Sequence, residues 1–415
     1  MDWLRRYLSS RQLFPLLVWL FYATILLLPD AFHVFGGLLV AGCLAAMFLA
    51  RPFRFDRSDV VLACLLVAYP ILMLPSALVK GGNISFFDYP ARALLFVPVV
   101  LGLRARADHF TISRGFFLGA SAGGLGSAFF SFYSLWLTPG ARVGFPITNP
   151  IPFAQIATLL ALISFVSIFN SSRSWERVLS VIGFFGATFA IYVAGSYGPL
   201  LGFGFGLIVL IVFVLGKRLS RTSLFCISFL LAGALLISFP LLSAKFFQII
   251  SEVHGFASGS GMATSQGQRL ILWSISIHEI TNSPFFGIGP GHLKSVLLNF
   301  CTFNRCLGDF STFNQVHNQY FDSALNAGLI GLLGLLVTLV SPAVLFYGRL
   351  SSASLVVQNS SIAGLAVVVA ASVSMISQSL FAHNISVISY FLTISICWFL
   401  ASPLATEQLR SGGFD

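Results

Sequence analysis

Residues 313–336 read FNQVHNQYFDSALNAGLIGLLGLL, a histidine set among asparagines, a glutamine, a tyrosine and an aspartate at the start of a long apolar run. An imidazole titrates near neutrality, with an ordinary pKa of about 6.5, so His317 has the chemistry of a general base. It also suits an interfacial anchor, because Tyr and His settle at the headgroup level and Asn joins helices by hydrogen bonds. On this stretch alone both readings stand. In either, Asn314 is expected to cap a helix through its side-chain oxygen. His317, Tyr320, Phe321 and Ala324 then share one face, with Asn318, Asp322 and Asn326 on a second stripe at i, i+4 and i+8. Gly328, Gly331 and Gly334 let this helix approach a neighbour closely below that point.

Cations that would face the same side are few. Arg269 stands at the start of a helical pattern, where a cation meets the positive end of the helix dipole; an anionic ligand would compensate that placement. Arg92, a turn inside an apolar run after FFDYPA, either pairs with Asp88 at i−4 or snorkels, or faces an internal cavity as intramembrane arginines do. Arg142, in GARVGFPITNP, reads by itself as a surface charge on a short loop. The seven histidines have no paired metal-ligand spacing, and HEITN (278–282) lacks the second histidine of a zinc helix. GIGPGH (287–292) follows no strand and precedes no Lys-Ser/Thr pair, so it reads as a helix-ending turn and not as a phosphate cradle. No metal site and no nucleotide-binding motif emerges, and no nucleic-acid partner is expected.

The elements that must position these residues are membrane helices. Of 415 residues, 57% are hydrophobic and only 9% charged, with mean hydropathy +0.91. A soluble domain carries roughly 25% charged residues, so this chain cannot cover a water-facing surface. A bilayer core of about 30 Å needs roughly 20 apolar residues per helix. Apolar runs of that order fall at 13–29, 31–50, 59–79, 88–103, 115–138, 151–170, 178–195, 199–216, 223–243, 322–346, 354–377 and 385–402. The expected fold is an all-α polytopic membrane protein of about 12 transmembrane helices, a single integral membrane domain over 1–415. The first run follows three arginines without a small-residue cleavage site, which reads as an uncleaved anchor.

The net charge of +10 is explained by orientation. With a cytoplasmic N-terminus, only Lys80, Arg92, Arg142, Lys245, Arg269, Lys294 and Arg305 fall on the outer side, as the positive-inside rule requires. Both termini are then cytoplasmic. Residues 244–321 form one large outer loop, too long for a mere connector. Within it GQRLILWSISIHEITNSP reads as a helix with Leu270, Trp273, Ile277 and Ile280 on one apolar face, laid on the membrane surface and ended by Pro284. Cys301 and Cys306, in CTFNRC, are on the oxidising side, as a disulfide or as two thiols.

Four segments, in order, resemble the O-antigen ligase and polymerase superfamily of bacterial envelope glycosyltransferases. FFDYPARALLFVPV (86–99) resembles its Asp–x–x–x–Arg segment, and ARVGFPITNPIPFA (141–154) its Arg–x–x–Gly…Asn-Pro outer-loop motif. SQGQRLILWSISIHEITNSPFFGIGPG (265–291) is similar to its Gln-Arg–x–x–x–Trp…Pro–x–x–Gly–x–Gly segment. VHNQYFDSALNAGLIGLLGLL (316–336) is similar to its His-Asn…Gly–x–x–Gly stretch at the end of a large periplasmic loop. The last two are the more specific.

The resemblance implies a GT-C-like membrane glycosyltransferase that needs no metal, no cofactor and no nucleotide sugar. Its donor is a glycan on undecaprenyl diphosphate at the periplasmic face of the inner membrane. In the ligase branch the acceptor is the lipid A–core; in the polymerase branch it is another lipid-linked glycan. By the family pattern His317 lies at the catalytic centre and Arg269 binds the donor diphosphate. Such a leaving group needs charge neutralisation, which arginine gives by bidentate bonds worth roughly 3 kcal/mol per group. The acceptor hydroxyl needs a base, and in-line attack inverts the anomeric centre. Asp322 either orients His317 or holds an acceptor hydroxyl, with Asn318, Arg92 and Arg142 as further substrate contacts. One departure stands out: many members carry Ser-Arg-Gly where this chain has GSYGP (195–199), so Tyr197 takes an arginine's place and Arg142 or Arg92 must supply that charge. The leading expectation is an O-antigen ligase, with a polymerase as the near alternative. A polytopic lipid or glycan transporter is the alternative of another class; inverted repeats with broken helices would mark one, and no such internal symmetry is seen.

Overall fold

The computed structural model describes residues 12–49, 57–82, 84–215, 247, 250–252, 254, 264–304 and 313–401. Among these residues regular structure is helical throughout. In chain order the helices are α1 (Leu13–Thr24), α2 (Ala31–Leu49), α3 (Arg57–Leu66), α4 (Ala68–Lys80), α5 (Val97–Arg106), α6 (His109–Leu137) and α7 (Pro150–Asn170). There follow α8 (Ser174–Val193), α9 (Tyr197–Leu210), α10 (Ser265–Asn282), α11 (Leu293–Asn304), α12 (Gln319–Tyr347), α13 (Leu355–Ser374) and α14 (Asn384–Leu400).

Every apolar run but one falls on helix; the run at 223–243 lies outside the described residues. Among the described residues seven helices are long and apolar enough to cross a membrane, or eight if α3 and α4 form one bent span. The protein is therefore multi-pass. The 43° bend between α3 and α4 has a local cause. Pro70 has no N–H to return to the Leu66 carbonyl, and its ring crowds that carbonyl. The run at 88–103 is likewise not one helix, but a turn Asp88–Ala91, a 3-10 turn Arg92–Phe96 and α5; Pro90 and Pro98 interrupt the ladder there.

The chain falls into two compact units. One comprises Met1–Ile71, Asp88–Val214 and Leu336–Asp415. Its helices pack at small residues: a Cβ on Gly124 of α6 would strike the Gly183 carbonyl of α8, so two backbones touch. A buried ion pair joins α3 to α5, Arg104 Nη2 to Asp59 Oδ1 at 2.7 Å, with side chains 6% and 1% exposed. The Trp398 indole N–H donates to the same Asp59 oxygen at 2.8 Å.

The other unit, Leu72–Phe87 and Leu215–Leu335, carries the candidate site. It has its own apolar core of Ile271, Leu272, Ile275, Leu293, Leu297, Val316 and Leu325. The α10 helix forms where the sequence predicts it, but its buried face is Ile271, Leu272 and Ile275, while Ile277 is 51% exposed. Of the face expected from periodicity, Leu270, Trp273, Ile277 and Ile280, Trp273 packs against this core while Ile277 is turned out of it. The reason is α11, unforeseen in the sequence reading, whose Leu293 and Leu297 pack on 271, 272 and 275. Its signal was present: Leu293, Val296, Leu297 and Phe300 recur at i, i+3, i+4 and i+7.

Candidate functional site

His317 is not on a helix. Residues 313–318 are irregular, and α12 begins at Gln319. The expectation that Asn314 caps the helix and that His317 shares a face with Tyr320, Phe321 and Ala324 is corrected accordingly. The cap is Asn318, whose Oδ1 accepts from the N–H groups of Tyr320 (2.9 Å) and Phe321 (3.1 Å). An Asn side chain reaching the second and third helical N–H groups is the usual satisfaction of a helix start. His317 itself has φ 55°, one of two non-glycine residues with positive φ among the described residues. That left-handed conformation costs on the order of 1 kcal/mol, so the surroundings must hold it.

They hold it through Val316. Its side chain is fully buried in the unit's core. Its carbonyl accepts from the Trp273 indole N–H at 3.0 Å, and its N–H donates to Asp322 Oδ1 at 3.4 Å. Asp322, 5% exposed, thus grips the main chain beside His317. The Phe313 ring meets the imidazole edge-on at 5.7 Å.

Arg269 lies on α10, four residues before Trp273 and so on the same helix face. Four residues of helix rise about 6 Å, which sets the arginine one turn from the indole that holds the histidine turn. The start of α10 is capped by the Thr264 hydroxyl, which accepts from the Gly267 N–H at 3.1 Å. Glu252 Oε2 accepts from the Gln266 N–H at 3.3 Å. A carboxylate already meets the positive end of this helix.

Below His317, α12 is broken at Ala327 and Gly328. Three backbone groups there exchange partners. Leu325 O accepts from the Ile288 N–H (2.8 Å), Leu329 N–H donates to Pro284 O (2.7 Å), and Asn326 O accepts from the Ser76 hydroxyl (2.9 Å). GIGPGH is indeed a turn: it runs from α10 into α11 and straps the break. Gly328 has φ 64°, and a Cβ there would collide with the Phe285 backbone. Its use is therefore a kink against this strap, not the approach of a neighbouring straight helix. The Asn318, Asp322, Asn326 stripe survives as a buried polar seam, all three under 9% exposed, with Asn326 Nδ2 donating to the Asp322 carbonyl at 2.8 Å.

The other candidate residues belong to the first unit. The Arg142 guanidinium lies on the α8–α9 turn. It donates from Nη2 to Ser196 Oγ (2.7 Å) and from Nε to the Ala194 carbonyl (3.1 Å), next to Tyr197. Partial burial pushes its pKa below the ordinary value and the Tyr197 phenol acts oppositely; it stays charged. The Asn-Pro of the same motif has a structural task, Asn149 capping α7 by accepting from the Ile151 N–H at 3.1 Å. Arg92 is held by Asp88 at 2.7 Å and lies over the Tyr89 ring at 5.4 Å. Cys301 is disulfide-bonded; Cys306 lies outside the described residues. Among the described residues no group of three or more His, Cys, Asp or Glu is placed to hold a metal ion.

Comparison with known proteins adds two findings. Residues 181–336, from within α8 to past the break in α12, match the family model described as O-antigen ligase. The chain is also 27% identical over 387 residues to an uncharacterized protein of Haemophilus influenzae, covering 91% of this chain and 95% of that one.

Proposed function

We propose that this chain, whose residues 181–336 match the family model described as O-antigen ligase, moves a glycan from undecaprenyl diphosphate to the lipid A–core. The observation that carries the reading is the turn at His317, which presents an imidazole on a pinned left-handed backbone inside the matching segment. Backbone strain of this kind collects at functional sites.

In the proposed reaction neutral His317 takes the proton of an acceptor hydroxyl. That oxygen attacks the anomeric carbon of the donor glycan, and the bond from that carbon to the diphosphate oxygen breaks. Undecaprenyl diphosphate leaves with the electron pair, its charge met by the Arg269 guanidinium. The configuration at the anomeric carbon inverts. Arg142, whose guanidinium stands beside Tyr197, is proposed to supply the charge that family members carry at that position. Arg92, already paired with Asp88, is the weaker candidate. The reading includes about 12 spans in one membrane domain of the bacterial inner membrane, cytoplasmic termini, residues 244–321 in the periplasm and a Cys301–Cys306 bridge. The break in α12 does not favour a transporter, since its freed backbone groups bond Ile288, Pro284 and Ser76.

The test is a Gram-negative strain lacking this gene, with its lipopolysaccharide resolved on a gel. Core without O-chain, and lipid-linked polymer accumulating behind it, supports ligation. Core bearing a single repeat unit replaces that reading with polymerisation, and a normal ladder defeats both.

A further inference from the structure

We infer that Trp273 and Asp322 are positioning residues that clamp Val316 from both sides and so fix the His317 imidazole at a set distance from Arg269. The inference rests on the proposed role of His317 as base and goes beyond it, because neither side chain need touch substrate. Four observations carry it. First, the Val316 peptide groups are both spent on side chains: the carbonyl on the Trp273 indole N–H at 3.0 Å, the N–H on Asp322 Oδ1 at 3.4 Å. Second, Val316 is fully buried and anchored in the core between α10, α11 and α12. Third, the residue on the other side of His317 is also fixed, since Asn318 caps α12 with two hydrogen bonds. Between two fixed neighbours His317 is held at φ 55°, which sets the direction of its Cα–Cβ bond and leaves only side-chain rotation free. Fourth, Trp273 is on the same face of α10 as Arg269, one turn away. The indole therefore ties the base to the helix that carries the cation.

A transferred glycan needs its acceptor oxygen and its leaving diphosphate in line, so the base and the cation must keep their spacing through the reaction. Loss of alignment by about 1 Å is enough to cost roughly 100-fold in rate. Trp273 also packs its ring on Phe321, with centroids 5.9 Å apart. A phenylalanine at 273 would keep an aromatic ring beside Phe321 while removing the N–H together with the pyrrole part of the indole.

The experiment measures kcat and KM for an undecaprenyl-diphosphate-linked glycan with purified full-length protein in lipid nanodiscs. The variants are Trp273→Phe, Asp322→Ala and Asp322→Asn, with His317→Ala as control and thermal unfolding of each. The inference predicts that Trp273→Phe and Asp322→Ala lower kcat roughly 10- to 100-fold at unchanged KM, measured per folded protein, with Tm lowered but still above the assay temperature. Asp322→Asn, which keeps an acceptor for the Val316 N–H, stays within a few-fold of the parent. A Trp273→Phe protein with full kcat overturns the clamp, as does a loss of rate that merely tracks lost folded protein or raised KM. If His317→Ala itself retains full activity, the base assignment fails first and the clamp with it; if His317→Ala is dead and Trp273→Phe is not, only the clamp fails.

Discussion

Removing the imidazole should stop transfer while leaving the protein inserted: His317→Ala is expected to lose all measurable glycan transfer, with unchanged membrane yield. Rate against pH gives the second reading. A base works only unprotonated, so the rate should fall on the acid side as an imidazole gains its proton. An acid limb absent from the profile would remove His317 from proton transfer. For Arg269→Lys the charge stays but the bidentate fork is lost, so rate should drop without vanishing, whereas Arg269→Ala should be inactive. At this scale the sequence offers candidates. His317 and Arg269 stood out because polar groups are few beside so much apolar sequence, and the family resemblance gave them roles. What stayed hidden was the backbone. Nothing in VHNQ indicates that Asn318, not Asn314, ends the turn, or that His317 adopts a positive φ. That choice is made by Trp273, 43 residues away in sequence, and by Asp322, neither of which local propensity can see.

At the scale of elements, α12 is the case that divides pattern from structure. Its apolar run reads as one span, yet the helix breaks at Ala327 and Gly328. The break is tolerated because Pro284, Ile288 and Ser76 take over the lost backbone bonds, and such partners are tertiary by nature. The α3–α4 bend, within the run expected as one span at 59–79, has its cause in Pro70. Gly328 was read as a packing residue and is a kink residue instead. Gly328→Ala is therefore expected to destabilise by on the order of 1–3 kcal/mol, seen as a lowered Tm in detergent with loss of transfer. A neutral result would mean that the strap from Pro284 to Gly291 yields easily. Asn318→Ala should cost about 1 kcal/mol for the lost cap, read in the same melt. The missed helix α11 belongs here too. Its apolar spacing is visible in the sequence, but at 12 residues it is too short to stand out by hydropathy.

For the whole molecule, composition alone was decisive about lipid as solvent: 9% charged residues cannot clothe a soluble fold of this length. Hydropathy also marked the seven or eight spans found among the described residues, because a bilayer forces roughly 20 apolar residues into each crossing. It could not foresee the inward use of charge. Arg104, counted with the cytoplasmic cations, is buried against Asp59 and Trp398. Asp59→Ala leaves that arginine without its carboxylate in a buried place, and such a break costs roughly 3–5 kcal/mol. Lower yield of folded protein, with normal KM in what remains, is the expected outcome; an unchanged melt would show the pair to be dispensable. The most direct test of the account is reconstituted transfer from undecaprenyl-diphosphate-linked O-glycan to lipid A–core, parent against His317→Ala at equal folded protein. Ligated lipopolysaccharide from the parent and none from the variant is the predicted result. No product from the parent, or product at full rate from His317→Ala, contradicts it.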